Sequence, residues 1–144
     1  ALLYATRIAD QARIKGAVFT AAGADFPNKL MRANFSAQQN QELEATNMVT
    51  VQPAYASSPF QLRKEFFEVA KLYEVLSQPI KLAFPLYLLH GTNDTTVPVS
   101  ITDEIAEATL SPQIVRYIIQ DGDHRLSRPE DMRILASAVQ LLVI

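Results

Sequence analysis

The sequence predicts an α/β fold in which helices cover a parallel sheet. Residues 14–22 (IKGAVFTAA), 84–90 (FPLYLLH) and 113–120 (QIVRYIIQ) form three short apolar runs rich in β-branched or aromatic side chains. Runs this short and this continuously apolar suit strands covered on both faces, the condition of a parallel sheet. Helix-start signals stand between them, so strands and helices alternate along the chain, as βαβ layering requires.

Each element follows from local chemistry. Residues 1–8 (ALLYATRI) have the composition of a helix already under way, with no capping residue before them. The first strand follows and ends at Gly23. Residues 26–79 are longer than a plain crossover requires and rich in Gln and Asn; two amphipathic helices are expected there, forming an insertion or cap. Their expected starts are Ser36 with Gln39, and Ser58 with Gln61 and Pro59 between them. In that spacing a serine accepts from the amide three residues on, while the longer side chain returns to the serine amide. Proline fits the first helical position, where its missing N–H has no partner to lose. Ser100 with Asp103, and Ser127 with Glu130 and Pro129, announce two more helices, SITDEIAEATL and SRPEDMRILASAVQLL. Both have apolar residues at helical spacing.

Composition limits the function. A chain of 144 residues has material for one sizeable core. A net charge of −2 without a basic cluster argues against nucleic-acid binding. Every apolar run is far shorter than the ~20 residues of a membrane-spanning helix. The chain has no cysteine, which removes disulfides, thiolate metal sites and a cysteine nucleophile. It fits a reducing compartment, the cytoplasm or, in a eukaryote, the mitochondrial matrix.

Open α/β sheets bind ligands beyond the carboxyl ends of their strands. The second strand leads into HGTNDTTVPVS and the third into DGDHRLS, so adjacent strand ends deliver a carboxylate, Asp94, and an imidazole, His124. A buried carboxylate that accepts from one ring nitrogen fixes the tautomer and leaves the other nitrogen as a base. Taken separately, Asp94 is also good turn chemistry and His124 an ordinary loop histidine. Asp121 and Asp123 read as turn and surface residues, and His90 as a strand-end residue that holds its turn by hydrogen bonding. A metal site at Asp121, Asp123 and His124 is disfavoured, because three ligands within four residues lack helical H-x-x-x-H spacing.

H-G-x-x-D-x-x-V-P, followed some thirty residues later by an apolar strand and G-x-H, resembles the C-terminal half of the α/β-hydrolase fold. More narrowly, HGTNDTTVP with DGDHRLSRPEDM resembles the branch of small esterases and palmitoyl-protein thioesterases that includes acyl-glucuronide esterase and bacterial relatives. The resemblance is strongest from Pro85 onward and loosest across residues 28–78. It implies the last three parallel strands of the sheet with a helical cap insertion: residues 1–25 after the nucleophile elbow, 26–79 as the cap, and 80–144 carrying Asp94 as triad acid and His124 as base.

The nucleophile is the departure. Glycine occurs only at positions 16, 23, 91 and 122, so no serine is flanked as G-x-S-x-G. By the family's strand–elbow–helix order, the serine is expected roughly five to eight residues before Ala1. The expected function is serine hydrolysis of acyl esters or thioesters, needing no cofactor or metal, with the missing N-terminal half of the fold as partner. The alternative is a non-catalytic α/β module or half of a split protein. If the resemblance holds, residues 26–79 sit above the site. There Phe60, Phe66, Phe67, Leu72 and Tyr73 could line an acyl pocket, or simply form the buried faces of helices. A three-strand sheet by itself would also expose an apolar edge, a template for association.

Overall fold

A computed structural model describes residues 2–8, 10–52 and 57–143. They form two compact units, Asp25–Glu74 and the remainder, Ala1–Ala24 with Val75–Ile144.

The larger unit holds the sheet. Helix α1 (Leu2–Arg7) precedes strand β1 (Ala17–Thr20); the expected helix thus covers Leu2–Arg7, and Ala1 lies outside the described residues. Strands β5 (Leu86–Gly91) and β7 (Ile114–Ile119) complete a three-stranded parallel sheet in the order β1-β5-β7. The register pairs Ala17 with Leu86 on one side of β5, and Leu86 with Ile114 on the other. All six residues of β5 are buried, which accounts for its unbroken apolar pattern. Strand β7 is only half-buried, and Ile118 is exposed. A second, minimal parallel pair joins β4 (Ile80–Lys81) to β6 (Thr109–Leu110).

Helix α4 (Ser100–Ala108) buries Ile101, Thr102 and Ile105, one stripe at i, i+1, i+4. Helix α5 (Pro129–Val143) turns Ala138 with Ile134, Leu135 and Leu142 onto Tyr87, Leu89 and Ile119 of the sheet. Neither expected serine cap forms. Ser100 lies inside α4, whose N-cap is Val99 with no side-chain bond; the amides of Ile101 and Thr102 instead turn back to the carbonyls of Pro98 and Val99. At α5 the pairing moves one residue on. The Arg128 amide donates to Asp131 Oδ2 at 3.2 Å, so Arg128 and Asp131 take the places expected of Ser127 and Glu130. Pro129 does start the helix.

The smaller unit differs from the expected pair of amphipathic helices. Pro27–Met31 makes one wide π-helical turn and Arg32–Asn34 a 3₁₀ turn before helix α2 (Ala37–Thr46). The Ser36–Gln39 capping box is present in both directions, at 3.1 and 3.0 Å. Helix α2 buries only Leu43, and it stops at Asn47, whose φ of 57° is the left-handed conformation that asparagine tolerates. Strand β2 (Met48–Val51) then pairs antiparallel with β3 (Phe60–Arg63). The Ser58–Gln61 start is therefore overturned: Gln61 lies in a strand, opposite Thr50. The alternation of Phe60 and Leu62 with polar residues has the period of a strand. Helix α3 begins at Lys64 (Lys64–Lys71) and seats Phe67 among Leu43, Val49 and Val51. Phe35 meets the Phe67 ring edge-on, with centroids 5.5 Å apart.

Of the five residues offered as an acyl lining, Phe67 belongs to this core. Phe66 and Tyr73 line an open hollow of about 650 Å³ on the unit's own surface, with Leu62, Val69 and Ala70. Phe60 and Leu72 are exposed.

Candidate active site

The carboxyl ends of β5 and β7 are stitched together before any reactive group is placed. Thr92 N donates to Ile119 O at 3.0 Å, Asn93 N to Gly122 O at 2.9 Å, and Asp121 N to Thr92 Oγ1 at 2.9 Å. Such closeness requires glycine. A Cβ built on Gly91 would lie 2.1 Å from Gly122 O and 2.3 Å from its carbonyl carbon. Glycine allows one backbone to lie against another in this way. Sequence reading took these glycines as motif letters; their physical job is to let two loops touch.

Asp94 hangs from the first loop. Its side chain is wholly shielded from solvent. Oδ1 accepts the amides of Thr96 at 2.8 Å and Val97 at 2.9 Å, a tight Asx turn. Oδ2 faces His124 Nδ1 at 2.9 Å. Burial pushes the carboxyl up, but the Val97 amide, His124 and the Thr96 amide outweigh it and hold Asp94 below its ordinary value. An ionised carboxylate can only accept, so the proton of that bond sits on Nδ1, and Nε2 keeps its lone pair.

His124 comes from the second loop, and 43% of its side chain is exposed. The preceding residue fixes its orientation: Asp123 Oδ1 accepts the amides of Arg125 at 3.0 Å and Leu126 at 2.9 Å. Leu126 then drops into the core beside Ile119 and Ala138 with a φ of 46°. A leucine there is strained, and its burial holds it. Asp121, also at positive φ, turns the chain off β7. So Asp121 and Asp123 shape the loop, as expected of them. Among the described residues no group of three or more His, Cys, Asp or Glu could hold a metal ion.

A clamp that sequence reading missed closes the loop. Asp131 is fully buried, and both its oxygens take the Arg128 guanidinium, at 2.7 Å from Nη2 and 3.0 Å from Nε. Nη2 also reaches Gln120 O at 3.1 Å, tying the start of the loop to its end. The signal was an Arg–Asp pair three residues apart at a helix start, hidden behind the serine-cap pattern. Hydrogen bonding from Arg128 holds the Asp131 carboxyl low, against the opposing pull of burial. Because its folded pKa is depressed, the stability this contact supplies is complete above the ordinary carboxylate range, about pH 4. It is lost as the pH falls through the lowered folded value. Asp131→Asn is thus expected to lower the denaturant midpoint at neutral pH and to approach the parent protein in acid. A gap that stays constant down to low pH would contradict this.

His90 is fully buried at the end of β5. Its Nε2 lies 2.9 Å from Val97 O and 3.2 Å from Asp94 Oδ2, and its Nδ1 2.6 Å from Thr102 Oγ1. It holds the turn, as its position suggests.

Parallel strands β1, β5 and β7, with α5 packed against them and strand-end loops carrying Asp94 and His124, are the C-terminal α/β portion of an α/β-hydrolase fold. No protein-family model matches the chain. The solved structure of alpha/beta hydrolase domain-containing protein 10 from mouse aligns with 99% of this chain and 56% of its own, with a TM-score of 0.80 and 25% identity. A protein of Agrobacterium vitis S4 named as a hydrolase aligns with 90% of this chain and 49% of its own, with a TM-score of 0.81 and 25% identity. The mitochondrial palmitoyl-protein thioesterase ABHD10 of Mus musculus is 29% identical over 84 residues, 58% of this chain and 28% of that protein. The chain therefore spans less than a third of the curated relative and about half of each solved structure. No helix among the described residues is long and apolar enough to cross a membrane.

Proposed function

We propose that this chain supplies the acid and base of a serine hydrolase acting on carboxylic esters or thioesters. The observation that carries the proposal is the 2.9 Å contact between His124 Nδ1 and Asp94 Oδ2, with Asp94 shielded and held ionised. In this reading the serine lies on the polypeptide preceding Ala1, at a strand–elbow–helix turn that leads into α1. The oxyanion amides lie there too, one on the residue after the serine.

His124 Nε2 takes the serine proton as Oγ attacks the acyl carbon. The carbonyl electrons move onto oxygen, and Asp94 stabilises the imidazolium that forms. When the tetrahedral intermediate collapses, the C–O or C–S bond breaks and Nε2–H protonates the departing alcohol or thiol. Water, deprotonated by the same nitrogen, then releases the acid and frees the serine. The chemistry calls for no metal or cofactor. The thioester side of the assignment rests on relatives named as palmitoyl-protein thioesterases. In this reading residues 26–79 are the cap insertion, and the protein works in the cytoplasm or, in a eukaryote, the mitochondrial matrix.

The test is covalent labelling. A fluorophosphonate should modify one serine in the longer protein, upstream of Ala1, and labelling should vanish in His124→Ala. Labelling of a serine within these 144 residues, or undiminished labelling of the variant, would overturn the proposal.

A further inference from the structure

Asp94 Oδ2 is flanked by two imidazoles, His124 Nδ1 at 2.9 Å and His90 Nε2 at 3.2 Å. Only the first of these is needed for proton transfer. A histidine with no exposed surface inside the central strand is costly unless every polar atom is matched, and apolar residues occupy most of β5. The chain therefore has a chemical reason to carry it there.

The proton positions follow from the partners. Val97 O, 2.9 Å from Nε2, is a carbonyl and can only accept, so Nε2 carries hydrogen. In a neutral ring Nδ1 is then the acceptor, and its partner at 2.6 Å is the hydroxyl of Thr102, itself buried on α4. Val97 O thus selects the tautomer and Thr102 Oγ1–H satisfies the bare Nδ1, with the Nε2–H edge turned toward Val97 O and Asp94 Oδ2 beside it. The two histidines of the chain hold opposite tautomers around one carboxylate oxygen.

We propose that His90, with its tautomer selected by Val97 O and completed by Thr102, is a positioning residue for Asp94. Its Nε2–H edge lies against the oxygen that receives the His124 proton donor, and it holds the carbonyl of the Asp94–Val97 turn. This has two effects. The carboxylate cannot rotate away from His124, because Oδ1 is fixed by two amides and Oδ2 is bounded by two rings. The Nε2–H dipole, hydrogen-bonded to Val97 O but 3.2 Å from Oδ2, also adds positive potential there, which makes Oδ2 a weaker acceptor and keeps the proton on His124. The catalytic consequence rests on the triad reading above; the tautomers and their coupling do not.

The experiment is ring ¹⁵N spectroscopy of the labelled protein. Above neutral pH, His90 should show a protonated Nε2 and a bare Nδ1, and His124 the reverse. A protonated Nδ1 on His90 would overturn the assignment without any variant being made. His90→Phe keeps the ring volume and removes the donor, so the His124 titration midpoint should rise by roughly half a pH unit. His90→Gln, which returns an N–H near the same place, should bring the midpoint back toward the parent value. Thr102→Val keeps shape and leaves Val97 O in place, so the His90 tautomer should stand in the same spectra. If His90→Phe does not fold, the parent spectrum decides, and hydrogen on His90 Nδ1 there refutes the proposal. A His124 midpoint unmoved in a folded His90→Phe leaves His90 a structural residue only and refutes the proposal. Asp121, Asp123, Arg125 and Arg128, the charged residues of the His124 loop, are untouched by these substitutions. Opposite tautomers and a shifted midpoint in a protein that hydrolyses no ester would sink the triad reading alone.

Discussion

His124→Ala in the longer protein is expected to lower kcat for ester or thioester hydrolysis by about ten-thousand-fold or more, the scale on which triad histidines act. Substrate affinity should change little, because the imidazole acts on a proton in flight rather than on the bound ester. Asp94→Asn should cost a comparable factor for a different reason. An amide side chain can donate to Nδ1, which favours the tautomer that places hydrogen on Nε2, where the base is needed. His124→Ala should leave folding nearly intact: the ring is 43% exposed, and Asp94 keeps its donors from Thr96 and Val97. Steady-state kinetics with thermal melting checks both halves. Loss of activity accompanied by loss of the folded state would mean that His124 is structural.

Gly91→Ala is expected to have the largest effect on stability. The new methyl would stand 2.1 Å from Gly122 O, and backbone cannot swing aside as a side chain can. One of the two loops must move. The hydrogen bond from Asn93 to Gly122 O and the approach of Asp94 to His124 lie on that same seam. Overpacking typically costs about 1–3 kcal/mol, and this case belongs at or above the upper end. Gly122→Ala should be milder, since its closest contact, at 2.7 Å, is Leu126 Cδ2, a movable side-chain end. Denaturant melts of the two variants test the order. Gly91→Ala should also lose activity beyond its loss of folded protein, and an equal or reversed order would refute the seam.

The effects of Gly91 and His90 share a cause. A central strand buried on every residue leaves its terminal loop no freedom except through side chains and backbone contacts that the fold itself supplies. The pair Asp94–His124 is therefore as rigid as the packing behind it.

The parallel sheet was legible in the chain. Continuous apolar runs mark strands that bury most of their surface, fully so in β5 and less so in β1 and β7. β1, β5 and β7 lie within the runs that predicted them. Asp94 and His124 were legible because each directly follows a strand end, and the sheet brings adjacent strand ends together. The β2–β3 hairpin was not. Ser58, Pro59 and Gln61 satisfy a helix-start pattern, while four residues of alternation are too few to outweigh it; pairing with Met48–Val51 decided the matter. Serine caps at Ser100 and Ser127 failed for a similar reason. A cap is a contest among nearby groups, and the half-buried Arg128 with the buried Asp131 won at α5.

By itself the sequence determined which segments are strands of a parallel sheet, and that a carboxylate and an imidazole leave neighbouring strands on the same side. Those properties follow from local periodicity and chain order. Only the tertiary structure decided that Gly91 and Gly122 touch, that His90 and His124 flank one oxygen, and that Asp131 takes the Arg128 guanidinium's hydrogen bonds while Glu130 stands 3.5 Å off as a looser ion pair. These are contacts between residues 3 to 31 positions apart, fixed by which atoms remain unmatched once the core has closed.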